Sequence, residues 1–127
     1  MHAGDGFTPA QRRDIDRAIR DAETASRFEF SVYVGASDGE VRPFAERLHA
    51  ALVAPERSVM VVVDPAARIV EVVTGAGVRR RLPDSSVRLV TLAMQSSFAL
   101  GDLAGGICRG LRQLADRAHG PQILHAE

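Results

Sequence analysis

The segment from Ser58 to Val63 reads SVMVVV and restricts the fold of this chain more than any other stretch. A nearly continuous apolar run of this length is typical of a strand that is covered on both faces. A short turn, Asp64 to Ala67, separates it from a second β-branched run, Arg68 to Thr74. Because a parallel pair needs a connection of about a dozen residues or more, this turn predicts an antiparallel hairpin.

Helices and one further strand surround the hairpin. The opening helix begins with a capping box, TPAQ, which has a threonine N-cap and proline at the first helical position. The other elements follow from periodicity and from helix start and stop signals. The predicted segments are helix 9–26, strand 28–34, helix 41–54, helix 84–98 and a last helix after Asp102.

The element order α-β-α-β-β-α-α predicts an α/β fold with a small mixed sheet. A helix joins the first strand to the central strand, so this pair can be parallel through a right-handed crossover. The helix that starts at Asp84 is apolar on more than one side, and Leu89 and Leu92 contribute to this. We expect it to lie between the sheet and another element. Ile107 lies on the apolar seam of the last helix, where glycines allow a neighbour to approach closely.

Composition excludes several function classes. All 16 basic residues are arginine, so a Walker-type phosphate loop and Schiff-base chemistry are excluded. The formal net charge is zero, and no overall field attracts nucleic acid. The single cysteine, Cys108, is typical of a reducing compartment. No signal peptide or membrane-spanning run is evident, so we expect a soluble, cytoplasmic protein without direct membrane insertion.

The stretch VVTGAGVRRRLPD allows several interpretations. A dinucleotide loop would need a third glycine where Arg80 stands. A nucleic-acid patch is disfavoured because adjacent side chains do not share one face and no aromatic residues are interleaved. We favour a turn in which Gly75 or Gly77 adopts a positive φ, with the arginines at a solvated edge. Anion binding by Arg79, Arg80 and Arg81 stays open as a weaker hypothesis.

Three motifs in the second half of the chain resemble those of the TPM domain family, which is named for a thylakoid lumen protein, a photosystem II-associated protein and a modulator of acetylcholine receptors. They are GAGV at 75–78, LPD at 82–84, and the set Phe98, Gly101, Asp102 and Gly106. The resemblance implies an α/β/α sandwich and a single TPM-like domain over residues 7–118. Residues 1–6 and 119–127 are then expected to be flexible termini. The sequence PERS stands before the central strand in place of the family's asparagine-glycine turn, and the signal peptide and membrane anchor of many bacterial members are not evident. The chain therefore resembles a divergent soluble bacterial-type member of the family.

Some TPM members are described as calcium-binding or as acid phosphatases. The resemblance therefore makes Asp64, Asp84 and Asp102 candidate metal ligands, because all three lie at strand or helix ends. A turn start and two helix caps also explain these aspartates. No pair of nucleophile and base is evident, so we expect an accessory or protein-interaction module with an unknown protein partner and no required cofactor. The alternative is a calcium-dependent phosphatase that uses these carboxylates.

Overall fold

A computed structural model describes residues 6–119 of the chain. Its elements are α1 Pro9–Ser26, β1 Glu29–Val34, α2 Val41–Ala50, β2 Ser58–Asp64, β3 Ile69–Thr74, α3 Ala76–Arg79, α4 Asp84–Ala99 and α5 Leu103–His119. A 3₁₀ turn, Pro55–Arg57, precedes β2. The predicted order is confirmed, with the one-turn helix α3 as an addition. Of the predicted flexible termini, residues 1–6 and 119–127, the parts 1–5 and 120–127 lie outside the described residues.

The sheet has the strand order β1-β2-β3 in the described part of the chain. Strand β2 pairs in parallel with β1 and antiparallel with β3, as predicted. Val61, at the middle of β2, lies opposite Val32 on one side and Val72 on the other. Every residue of β2 is buried, which confirms the interpretation of SVMVVV as a central strand.

Helices cover both faces of this sheet. Val59, Val61 and Val63 face a core formed with α1, α4 and α5, whereas Met60 and Val62 face α2. The alternation follows from the two-residue period of a strand. Burying a side chain of this size stabilises the fold by roughly 1.5–3 kcal/mol. The architecture is therefore an α/β/α sandwich, as expected.

Helices α4 and α5 pack closely because glycines stand at their contact. A β-carbon on Gly106 would lie 2.7 Å from Cε1 of Phe98, and one on Gly110 would lie 2.5 Å from the sulfur of Met94. Ile107, between these glycines, has no exposed surface. The predicted seam of α5 and its close approach to a neighbour are confirmed.

The second apolar side of α4 does not lie against another element of residues 6–119, so that prediction is wrong. Only Val87, Val90 and Met94 of this helix are buried, whereas Leu89 is 56% exposed and Leu92 is 54% exposed. The reason is the order of helices on this face of the sheet. Helix α5 packs against both α1 and α4, which places α4 at the outside of the layer.

The predicted positive-φ turn at Gly75 or Gly77 is also wrong. Gly75 has a φ of −74°, and neither glycine is among the positive-φ residues of the described chain. Glycine is required there by close approach, since a β-carbon on Gly75 would lie only 2.1 Å from the carbonyl oxygen of Pro55. A β-carbon on Gly77 would lie 2.8 Å from the carbonyl oxygen of Glu56. The 3₁₀ turn before β2 thus packs on the backbone after β3.

Helix caps were predicted at Thr8, Asp84 and Asp102, and the structure confirms those at Thr8 and Asp102. Thr8 and Gln11 form the reciprocal capping box of α1, and Asp102 accepts a hydrogen bond from the backbone of Gly105 at 3.0 Å. Asp84 is different, because it is the first residue of α4 rather than the residue before it. Pro83 occupies the capping position and makes no side-chain cap bond. The Asp84 carboxylate still lies in the first helical turn, where the helix dipole favours a negative charge.

Candidate functional site

The ends of the two parallel strands meet at one edge of the sheet. Strand β2 ends at Asp64, and Ser37 lies in the loop after β1. In open α/β sheets, ligands commonly bind outside the carboxyl ends of parallel strands. This edge is therefore where a functional site is expected from topology.

Asp64 is the buried charged group at this edge, with 6% of its surface exposed. Its Oδ2 accepts hydrogen bonds from the backbone N–H of Ser37 at 3.1 Å and from the Ser37 hydroxyl at 3.0 Å. Its Oδ1 accepts one from the backbone N–H of Ala67 at 3.1 Å. Burial by itself raises the pKa of Asp64, but the bonds from Ala67 and Ser37 outweigh it and hold the pKa below its ordinary value. The group is ionised at neutral pH.

A groove of about 610 Å³ opens beside Asp64, between the β2–β3 hairpin and the junction of α4 with α5. We call it the edge groove. Its polar lining includes Asp64, Arg68 and Gln95, and its apolar lining includes Phe98 and Leu103. Grooves of this size, mostly apolar with a few convergent polar groups, are typical of small-molecule sites.

Arg68 is the unusual residue of this groove. Its φ is 58°, a left-handed conformation that is uncommon for residues other than glycine. It closes the hairpin turn by donating its backbone N–H to the carbonyl of Pro65 at 3.3 Å. The side chain is exposed, and within residues 6–119 its guanidinium makes no ion pair or hydrogen bond. Sequence patterns could not reveal this backbone conformation, because arginine is not a residue that signals it.

The structure does not bring Asp64, Asp84 and Asp102 together. Asp84 lines a separate groove of about 340 Å³ beside β3, and Asp102 forms an ion pair with Arg109 at 2.9 Å. The hydrogen bond from Arg109, aided by the one from Gly105, lowers the pKa of Asp102. No group of three or more histidine, cysteine, aspartate or glutamate side chains is placed to hold a metal ion anywhere in residues 6–119.

The three consecutive arginines contact different parts of the fold. The guanidinium of Arg79 donates to the carbonyl oxygen of Thr74, at the end of β3. The guanidinium of Arg81 lies 3.5 Å from the carbonyl oxygen of His119, at the end of α5. Arg80 is exposed at the end of α3. Two of the three side chains are thus directed to separate carbonyl groups of the protein itself.

The outer side of α4 is a second candidate surface. We define the α4 face as Leu89, Leu92, Ala93, Ser96 and Leu100, which lie on one side of the helix at helical spacing. Leu100, at the end of the helix, is 87% exposed. No charged residue occurs between Leu89 and Leu100. Contiguous exposed apolar surface of this kind marks interaction sites more often than single exposed residues do.

The sequence analysis also considered the single cysteine, Cys108, and the possibility of a membrane-spanning segment. Cys108 is a free, buried cysteine, and burial raises the pKa of its thiol, which is expected of an unreactive side chain. Within residues 6–119, none of the helices combines the length and the apolar character needed to cross a lipid bilayer.

Solved structures share this fold. The NMR structure of BA42 from the psychrophilic bacterium Bizionia argentinensis matches with a TM-score of 0.81 and 20% identity, over 92% of this chain and 84% of that one. The N-terminal domain of cg2496 from Corynebacterium glutamicum matches with a TM-score of 0.76 and 13% identity, over 98% and 85%. At these identities the similarity shows the fold alone.

Sequence comparison gives relatives and a family. An uncharacterised protein of Mycobacterium tuberculosis, Rv2468c, is 28% identical over 101 residues, which cover 80% of this chain. The match spans 60% of the relative's own length. A domain of unknown function, DUF5130, matches residues 2–115, and the chain therefore belongs to the DUF5130 family.

Proposed function

We propose that this DUF5130 domain is a protein-interaction module that acts through the α4 face, and that the partner on this face is a second copy of the chain. The observation that carries the proposal is the exposure of Leu89 and Leu92 on the α4 face, where no charged residue occurs between Leu89 and Leu100. Isolated exposed apolar residues need no explanation. Val53, which is fully exposed after α2, is of that ordinary kind and provides a control.

The absence of charged residues on the α4 face favours a second copy of the chain as the partner. In a two-fold symmetric contact the same surface is used on both subunits, so residues near the axis meet their own equivalents. A charge at such a position would face an identical charge, and the α4 face has none from Leu89 to Leu100. The chain as a whole has zero formal net charge, which removes long-range repulsion between copies. Ala93 and Ser96 are small enough to let two helices approach closely.

Analytical ultracentrifugation over a wide range of protein concentration tests this proposal. We expect a concentration-dependent dimer for the natural chain and for Val53→Gln, and a monomer for the double variant Leu89→Gln with Leu92→Gln. Circular dichroism should show that all three proteins are folded, because the substituted side chains are exposed. A natural chain that stays monomeric at every concentration overturns the proposal. A dimer that persists in the double variant also overturns it, since the contact then lies elsewhere.

The calcium-dependent phosphatase hypothesis, which comes from the TPM resemblance, has less support. Asp64 lies at a favourable edge of the sheet, but its oxygens already accept three hydrogen bonds from the protein. Hydrolysis of an aryl phosphate with and without calcium is the direct test, and we expect no activity. The TPM relationship itself, a cytoplasmic location and the absence of nucleic acid among the partners also stay predictions.

A further inference from the structure

We propose that the edge groove binds a small organic acid, with its carboxylate or phosphate group on Arg68 and its apolar part against Phe98 and Leu103. This inference goes beyond the pairing through the α4 face and uses a different side of α4. It concerns Arg68, Gln95 and the apolar side chains between the hairpin and the start of α5.

The sign of the ligand's charge is inferred from the hydrogen bonding of Asp64 and Arg68, the two charged residues of the groove. Asp64 is buried, and its oxygens already accept hydrogen bonds from Ser37 and Ala67. The Arg68 guanidinium, in contrast, is exposed and makes no ion pair or hydrogen bond with the described residues. It therefore offers several unused N–H donors in a planar arrangement that matches a carboxylate or phosphate.

The remaining lining fits the body of such a ligand. Phe98 and Leu103 are half-buried at the junction of α4 with α5 and form the apolar wall of the groove. Their side chains present apolar surface that a hydrocarbon chain or ring can cover. Gln95, an exposed amide on the wall of the groove, can add a hydrogen bond to the acid group. The volume of about 610 Å³ lies in the usual range of small-molecule sites, roughly 300–1,000 Å³.

The backbone conformation of Arg68 also supports a role in ligand binding. A left-handed conformation is adopted by glycine without strain, yet this position holds an arginine at a φ of 58°. Strained residues of this kind concentrate at ligand-binding positions. Replacement by glycine should therefore preserve or improve the fold of the hairpin while it removes the proposed binding group. This separation of stability from binding makes the proposal testable.

The probes are octanoate and octyl phosphate, compared with octanol and octylamine, which share the alkyl chain but lack a negative charge. Binding is followed by two-dimensional NMR of the ¹⁵N-labelled protein at neutral pH, below the micelle concentration of each probe. We expect saturable binding of at least one acid, with shifts at Phe98 and Leu103. Octanol and octylamine should bind at least about tenfold more weakly, which is the loss expected when a charge-assisted hydrogen bond is missing.

Variants identify the binding group. Arg68→Gln and Arg68→Gly should each weaken acid binding by about tenfold or more, whereas the control Arg80→Gln, at another exposed arginine, should leave it unchanged. Equal binding by the Arg68 variants, or tighter binding of octylamine than of octanoate, overturns the proposal. Shifts confined to Leu89 and Leu92 also overturn it, because the probe then sits on the α4 face. A failure of dimer formation would leave these outcomes unaffected and would count only against the proposed function.

Discussion

The carboxylate of Asp64 accepts both the backbone N–H and the hydroxyl of Ser37, at 3.1 and 3.0 Å. These bonds fasten the end of β2 to the loop after β1 and join residues that are 27 positions apart in the sequence. They act in addition to the parallel ladder, which continues to a bond from the N–H of Gly35 to the carbonyl of Val63 at 3.0 Å. The edge that holds the candidate site is therefore ordered by a charged group that must stay ionised.

The first prediction concerns the pH dependence of this contact. Because the pKa of Asp64 in the folded protein lies below its ordinary value of 3.8, its contribution is fully present above that ordinary value. The contribution is lost as the pH falls through the lower, folded pKa. We expect Asp64→Asn to lower the free energy of unfolding by about 1–3 kcal/mol at neutral pH. Urea denaturation at several pH values should show this difference shrinking below the ordinary pKa; a constant difference would contradict the prediction.

The second prediction concerns the contact between Gly75 and Pro55. A β-carbon at Gly75 would meet backbone atoms, which cannot rotate away as a flexible side chain can. We expect Gly75→Ala to destabilise the fold by about 1–3 kcal/mol or more. Gly39→Ala is the matched control, because Gly39 has a φ of 84° but nothing within 4 Å of its added β-carbon. Its cost should be about 1 kcal/mol from backbone strain alone.

Thermal or chemical denaturation of the two variants decides between the explanations. A larger loss for Gly75→Ala supports close packing of the 3₁₀ turn on the start of α3. An equal or smaller loss would mean that Pro55 and Glu56 do not lie against this backbone.

The sheet could be predicted because its determinants are local. The apolar run of β2 fixes burial on two faces, and the short turn after Asp64 fixes the antiparallel pairing with β3. The need for glycine at Gly75 or Gly77 was also evident, but its reason was not. The contacting carbonyl belongs to Pro55, a segment that lies well before it in the sequence.

The candidate site was only partly predictable. Asp64 stood out at a strand end, and Ser37 could have been paired with it, since both follow strands that were expected to be parallel. The proposed role of Arg68 depends on its backbone angle and on its guanidinium having no ion pair or hydrogen bond within residues 6–119, and neither is encoded in a pattern of residue types. The exposure of Leu89 and Leu92 depends on which helix packs beside α4. Periodicity records how many apolar positions a helix has, but not how many neighbours are available to cover them.

The last prediction compares a buried residue of α5, Ile107, with an exposed residue of α4, Leu92. Ile107 is fully buried in α5, so Ile107→Ala should leave a cavity and lower the free energy of unfolding by about 2–5 kcal/mol. Leu92→Ala removes a side chain that is 54% exposed, and in the monomer it should change stability by no more than about 0.5 kcal/mol. Urea denaturation at low protein concentration measures both values. A large loss for Leu92→Ala under these conditions would show that its side of α4 is covered within one chain, and the α4 face would then not be available to a second copy.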